Sequence, residues 1–140
     1  MSIINIRIYY EDTDLSGVVY HSNYLKYMER GRTEFLREHK IDLEDYHKDG
    51  IVFAVTEVKI QYRYPAKYND VIRVETNIDT ISSYQVAFKA EIFNQDGKCL
   101  SKGVAKVVAV DAKVGSAVRL PEKFVNLAEK LIESGSGTNA

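Results

Sequence analysis

Four stretches between residues 57 and 111 repeat a period of two, and only short turns separate them. Val58, Ile60, Tyr62 and Tyr64 alternate with Glu57, Lys59, Gln61 and Arg63. Ile72, Val74, Thr76 and Ile78 alternate with Val71, Arg73, Glu75 and Asn77. Val86, Phe88, Ala90 and Ile92 continue the pattern, and GVAKVVAVD supplies a more apolar last stretch. Successive strand side chains point to opposite faces, so this spacing predicts half-buried strands. AKYND, TISS and NQDGK mark the turns, and the Asp-Gly pair of the last favours a tight hairpin. Connections this short permit only antiparallel pairing of consecutive strands.

Ahead of these, Ile4, Ile6, Ile8 and Tyr10 alternate with Asn5, Arg7 and Tyr9, which predicts a further strand with Tyr10 on its apolar face. Tyr24, Tyr27, Met28, Gly31 and Phe35 then recur at helical spacing. Lys26, Glu29, Arg30, Glu34 and Arg37 lie mostly opposite, so a helix from about Ser22 to Glu38 is expected to face the sheet. Gly31 costs such a helix about 1 kcal/mol relative to alanine, and close approach of the helix backbone to the sheet explains keeping it. Pro121 opens a short C-terminal helix in LPEKFVNLAEKLIE, with Phe124, Leu127, Ala128 and Leu131 as its buried stripe. The fold class is α+β: one long helix, a five-stranded antiparallel sheet and a short C-terminal helix. Residues 1–133 read as a single domain and 134–140, SGSGTNA, as a flexible tail. One long helix cannot cover both faces of such a sheet, and its edge stays unpaired. A homo-oligomer is therefore expected, a dimer or a tetramer.

The chain carries 19 basic and 20 acidic residues, a net charge of -1. Binding to phosphate backbones favours a basic excess, so nucleic acid is not the expected partner. Cys99 is the only cysteine, which rules out an intrachain disulfide and fits a reducing compartment. No apolar run approaches the roughly 20 residues of a membrane span, and MSIINIRIYYED lacks the features of a signal peptide. The expected location is the cytoplasm.

Chemistry concentrates in YYEDTDLSGVVYHSNYLKYMERGRTEFLRE, residues 9–38. Asp14 follows a strand and precedes a helix, and Gly17 permits a tight path between them. At a helix start, unpaired N–H groups and the positive end of the dipole favour an oxyanion. A carboxylate and the His21 imidazole beside such a place suit acyl transfer to water. The same residues are also ordinary turn and capping residues, and a lone Tyr10 is by default a core aromatic whose hydroxyl needs a partner. Glu11 and Asp12 read as a solvated loop. His39 and His47 have no companion at metal-ligand spacing. Cys99 reads as an inert, buried or half-buried thiol.

These residues resemble the opening of the Tol-Pal-associated, YbgC-type acyl-CoA thioesterases, in the 4-hydroxybenzoyl-CoA thioesterase group of hotdog-fold proteins. FAVTEVKIQYRYPAKYNDVIRVET and KVVAVDAKVGSAVRLPE fit the same family, so the resemblance spans most of the chain. It implies a hotdog fold, with paired subunits forming a larger sheet and active sites at subunit interfaces. It puts the family's essential aspartate on Asp14, its motif histidine on His21 and its motif tyrosine on Tyr10. Asp14 is then a general base or a nucleophile that forms a mixed anhydride. His21 positions or polarises the thioester, and N–H groups from His21 to Asn23 hold the carbonyl oxygen. Asn23 is also carried over as a pocket residue, while Lys67 and Arg119 are candidates for the coenzyme's phosphates. Gly31 stands where the family more usually has alanine.

The expected activity is hydrolysis of acyl-CoA, or of acyl groups on acyl carrier protein, to a free acid and a thiol. No cofactor or metal is expected, coenzyme A being part of the substrate. Two alternatives keep the ligand and change the outcome: a non-hydrolytic acyl-CoA or acyl-carrier binding protein, and a dehydratase of 3-hydroxyacyl thioesters.

Overall fold

The computed structural model describes residues 1–138, with side chains described through Glu133. In chain order the elements are β1 (Ser2–Arg7), α1 (Asn23–Glu38), α2 (Leu43–Lys48), β2 (Ile51–Tyr62), β3 (Val71–Ile81), β4 (Gln85–Phe93), β5 (Cys99–Asp111), β6 (Ala117–Val118) and α3 (Glu122–Thr138). The main sheet runs in the order β1-β3-β4-β5-β2, and β6 pairs with β5. β1 lies antiparallel to β3, with Ile4 opposite Val74 and Ile6 opposite Ile72. The connections between β3 and β4 and between β4 and β5 are too short for a parallel crossover. The five expected strands are therefore present, and the two-residue β6 extends the sheet to six.

Alternation reads most clearly in β3, where Ile72, Val74, Thr76 and Ile78 are buried. In β4, Val86, Phe88, Ala90 and Ile92 are buried as the spacing requires. β2 behaves differently. It closes one side of the sheet order, and Val58 and Tyr62 of its nominally apolar set are exposed. An edge strand has a neighbour on one side only, so a half-buried pattern there is left without cover.

Packing divides the chain into two units. The first comprises residues 1–35, 59–77 and 90–103. Its core joins Ile8, Val19, Tyr24, Tyr27 and Met28 to Ile72, Val74, Ala90, Ile92 and Leu100. The predicted helical stripe is all buried. The reason for Gly31 is visible: a Cβ there would stand 2.5 Å from Thr76 Oγ1 and 3.1 Å from Val74 Cγ1.

The second unit comprises residues 36–58, 78–89 and 104–140. It is organised around Phe124 of α3, which stacks on Phe53 at 5.7 Å and meets Phe88 edge-on at 6.3 Å. α2, which the sequence reading did not anticipate, is started by Asp42, whose side chain accepts the Glu44 N–H at 3.0 Å. α3 is longer than expected and continues to Thr138, into the stretch read as a tail. Residues 139–140 of that tail lie outside the described residues.

The expected placement of Tyr10 is not found. β1 ends at Arg7, and residues 10–12 form a 3-10 turn. The Asp12 carboxylate accepts the Tyr9 N–H at 2.8 Å and starts that turn. Leaving the strand breaks the period of two, so Tyr10 is 82% exposed instead of facing the helix.

Replacing Gly31 with alanine should lower stability by about 1 kcal/mol. Overpacking costs roughly 1–3 kcal/mol, and helix propensity returns about 1. In a Thr76→Ala background, which removes the crowding hydroxyl, the same change should be neutral or stabilising. Urea unfolding of the four proteins of this cycle checks the coupling.

Candidate active site

The loop ahead of α1 is built from its backbone outward. Thr13 and Val19 form an antiparallel bridge, and Val18 bridges to Lys67. Within the closed turn, the Asp14 N–H reaches Val18 O and the Gly17 N–H reaches Asp14 O, both at 3.0 Å. Gly17 has φ of +81°, a conformation that side chains disfavour, which explains the glycine. Asp14 Oδ1 accepts the Ser16 N–H at 2.9 Å and the Ser16 hydroxyl at 2.5 Å. This is the local turn that aspartate commonly makes. It uses one carboxylate oxygen, and among the described residues Oδ2 has no hydrogen bond.

The Ser16 hydroxyl, and then the Ser16 N–H, hold the Asp14 carboxyl below its ordinary value. Slight desolvation works the other way, and the Asp14 backbone and His21 add small lowering contributions. Hydrogen bonds to the charged form favour that form, so Asp14 stays ionised to lower pH than a free aspartate.

Asp14 and His21 both line a cleft of about 270 Å³, together with Val18, Val19, Tyr24, Tyr62, Arg63, Tyr64 and Pro65. The Tyr24 hydroxyl accepts the Ala66 N–H at 3.0 Å, and the Val19 N–H reaches Ala66 O at 2.8 Å. These bonds tie the Pro65–Ala66 turn to the helix and to the loop. The His21 ring lies between Tyr20, at 4.6 Å, and the edge of Tyr62, at 6.2 Å. Tyr62 donates its hydroxyl to the His21 carbonyl at 3.1 Å.

The other residues singled out by sequence are distributed as follows. Asn23 does not line the cleft. Its side chain donates to Asp12 O at 2.9 Å, and its N–H is taken by Tyr20 O at 2.9 Å. Of the three N–H groups expected to hold an oxyanion, only those of His21 and Ser22 are without an acceptor among the described residues. Tyr10 lies outside the cleft lining, with its ring edge-on to Tyr68 at 6.1 Å. Lys67 is exposed beside the loop, held by the Val18 bridge. Arg119 lines a different cavity with Ser83, Leu120, Glu122, Val125 and Asn126. Asp12 is more than a solvated residue: its carboxylate starts the 3-10 turn, and its carbonyl receives both Asn23 and the Tyr20 N–H. Cys99 is half-buried, with its thiol 3.7 Å from Ser101 O.

Sequence reasoning missed Tyr62, Arg63 and Tyr64 as cleft residues. Strict alternation assigns Arg63 to the face opposite its neighbours. The N–H groups of Arg63 and Tyr64 instead converge on the single carbonyl of Leu100, at 2.8 and 3.2 Å. Two residues opposite one is the signature of a bulge, which re-aims side chains at a strand end. The Tyr-Arg-Tyr-Pro run was the available signal.

Ser16→Ala should raise the Asp14 pKa towards the ordinary carboxylate range. If ionised Asp14 is required for turnover, the acid limb of the pH–rate profile must move to higher pH. Carboxyl-carbon NMR titration of Asp14 reads the shift directly, and an unchanged titration contradicts the Ser16 assignment.

Known proteins resemble the chain along most of its length. The thioesterase-like superfamily model matches residues 9–128. The acyl-CoA thioester hydrolase YbgC of Escherichia coli O157:H7 is 33% identical over 120 residues, covering 86% of this chain and 90% of the relative. The acyl-CoA thioesterase YbgC of Helicobacter pylori strain J99 is 35% identical over 129 residues, covering 86% and 95%. Among solved structures, the DHNA-CoA thioesterase of Staphylococcus aureus superposes with a TM-score of 0.88 at 27% identity, covering 99% of this chain and 93% of that one. The fold is the hotdog fold of these thioesterases. With its match running from Tyr9, just after β1, into α3, the chain belongs to the thioesterase-like superfamily.

Proposed function

We propose that this protein hydrolyses the thioester of acyl-CoA to a free acid and coenzyme A. The observation that carries this reading is the meeting, in one cleft at the start of a helix, of an ionised Asp14 with a free carboxylate oxygen and the His21 imidazole. The thioester carbonyl is placed at the N–H groups of His21 and Ser22. Attack on its carbon moves the C=O electron pair onto oxygen, where those N–H groups stabilise the charge. Collapse re-forms the C=O bond and expels the coenzyme thiolate, which takes up a proton. Asp14 acts either by removing the proton of the attacking water or by attacking first to give an anhydride that water opens. His21 orients the thioester.

Arg63, on the cleft wall, is the first candidate for the coenzyme's phosphates, followed by Lys67 and Arg119. Tyr10 and Asn23 support the loop from outside the cleft, and acyl carrier protein is a second acyl donor in this reading. The exposed edge strand β2 supports a homo-oligomer, a dimer or tetramer in which a second subunit covers that edge. Among the described residues, no helix is long and apolar enough to cross a membrane. We place the enzyme in the cytoplasm, where a lone free thiol is stable.

Asp14→Asn should lower kcat by at least about a hundredfold while leaving the circular dichroism spectrum unchanged. Thiol release from a panel of acyl-CoAs, graded in chain length and including an aromatic one, measures this. Binding of the panel without turnover by either protein would establish a binding module instead. Light scattering should give a mass of two or four chains of 15.9 kDa, and a monomer would contradict the assembly.

A further inference from the structure

We infer that Asp70 and Gln95 are positioning residues: their hydrogen-bonded pair fixes the Ala66–Lys67 peptide, on which the loop carrying Asp14 is docked. The inference rests on the hydrolase reading above and names what holds its carboxylate in place.

Asp70 is only 7% exposed, and among the described residues it makes no ion pair. Its Oδ2 accepts the Lys67 N–H at 3.0 Å, and its Oδ1 accepts the Gln95 side-chain N–H at 3.1 Å. Burying a charge without a counter-charge is costly unless hydrogen bonds satisfy it, so this carboxylate is kept for its bonding pattern. Gln95 dictates that pattern. Its Oε1 accepts the Val71 backbone N–H at 3.0 Å, which turns its amide nitrogen towards Asp70. Both atoms that residue 70 presents must therefore be acceptors. A carboxylate offers two, whereas a carboxamide would set its own N–H against that of Lys67 or of Gln95.

The consequence reaches the Asp14 loop through one peptide group. The Lys67 N–H, held by Asp70, belongs to the same planar peptide as the Ala66 carbonyl, and that carbonyl accepts the Val19 N–H at 2.8 Å. Val19 is bridged to Thr13, and Val18, bridged to Lys67, accepts the Asp14 N–H at 3.0 Å. Asp14, Val18 and Val19 all line the cleft. The turn is also anchored on its far side. The Asp70 N–H reaches Lys67 O at 3.1 Å, and the Ile8 N–H reaches Asp70 O at 2.8 Å.

The test exchanges the two groups. Asp70→Asn and Gln95→Glu each break the pattern, the first by facing two N–H groups and the second by facing two carboxylates. Asp70→Asn combined with Gln95→Glu restores it with donor and acceptor reversed, since the residue 70 amide then donates to the residue 95 carboxylate, whose other oxygen still accepts the Val71 N–H. Measured where every variant is folded, each single substitution should lower kcat for acyl-CoA at least about tenfold, as slight misplacement of a reacting group does. KM should stay within about threefold, and the double variant should recover kcat to within about threefold. A second readout needs no turnover. Hydrogen exchange of the Asp14 and Val19 amides should quicken in each single variant by about tenfold more than that of Met28 and Phe35 in α1, which report global unfolding, and should slow again in the double variant. Gln95→Glu, at an exposed position, supplies the comparison if Asp70→Asn does not fold.

If the single variants lose only stability, with kcat and loop exchange unchanged, Asp70 is purely structural and the inference is overturned. A double variant no better than either single one overturns it too, because complementarity between the two side chains is then not what holds the peptide. An unmodified protein that releases no thiol from any acyl-CoA removes the hydrolase reading, and the exchange rates then decide separately whether the pair positions the loop.

Discussion

The first unit depends on how closely α1 approaches the sheet. Two glycines, one on each layer, permit it. Gly31 lets the helix backbone lie against Thr76 and Val74, while Gly103 of β5 leaves room for Met28, whose Sδ and Cε would lie 2.9 and 2.6 Å from a Cβ there. Interiors pack at the density of organic crystals, so such a contact leaves little freedom to slide or rotate. Fixing Met28 and Gly31 fixes the first turn of the same helix, and with it the peptide groups from His21 onward. The site inherits its precision from this contact.

The loop that carries Asp14 is held by the same local economy. Its backbone is closed by the Thr13–Val19 bridge and the left-handed Gly17, and its carboxylate spends one oxygen on Ser16. In our proposal a structural turn and a catalytic group are thus compatible in a single residue, because a carboxylate has two oxygens. Asp14 and His21 are nevertheless exposed in the protomer, as is the neighbouring edge strand β2. Oxyanion stabilisation is strongest where water is excluded. In our proposal the subunit that covers β2 therefore also completes the environment of the chemistry.

Much of this was legible in the sequence, for reasons that differ by element. β3 and β4 declared themselves because they have strand neighbours on both sides, so alternation maps directly onto burial. The α1 stripe and the purpose of Gly31 followed from helical spacing. β2 carried the same alternation, yet Val58 and Tyr62 of its apolar set are exposed, since spacing records a face and not what covers it. Tyr10 was misplaced because the Asp12 cap ends the strand early, an event without a periodic signature. Tyr62 and Arg63 were overlooked because a bulge breaks the alternation by which strands are read. Residue type and order single out Asp14 and His21, which the structure brings to one cleft, but they do not show that Asn23 has already given away its N–H.

A crystal structure of the Asp14→Asn protein with an intact acyl-CoA is the most direct test of the central claim. The account predicts the thioester carbonyl oxygen about 3 Å from the His21 or Ser22 nitrogen, with the residue 14 carboxamide beside the carbonyl carbon. A thioester bound elsewhere, with this cleft empty, would contradict it.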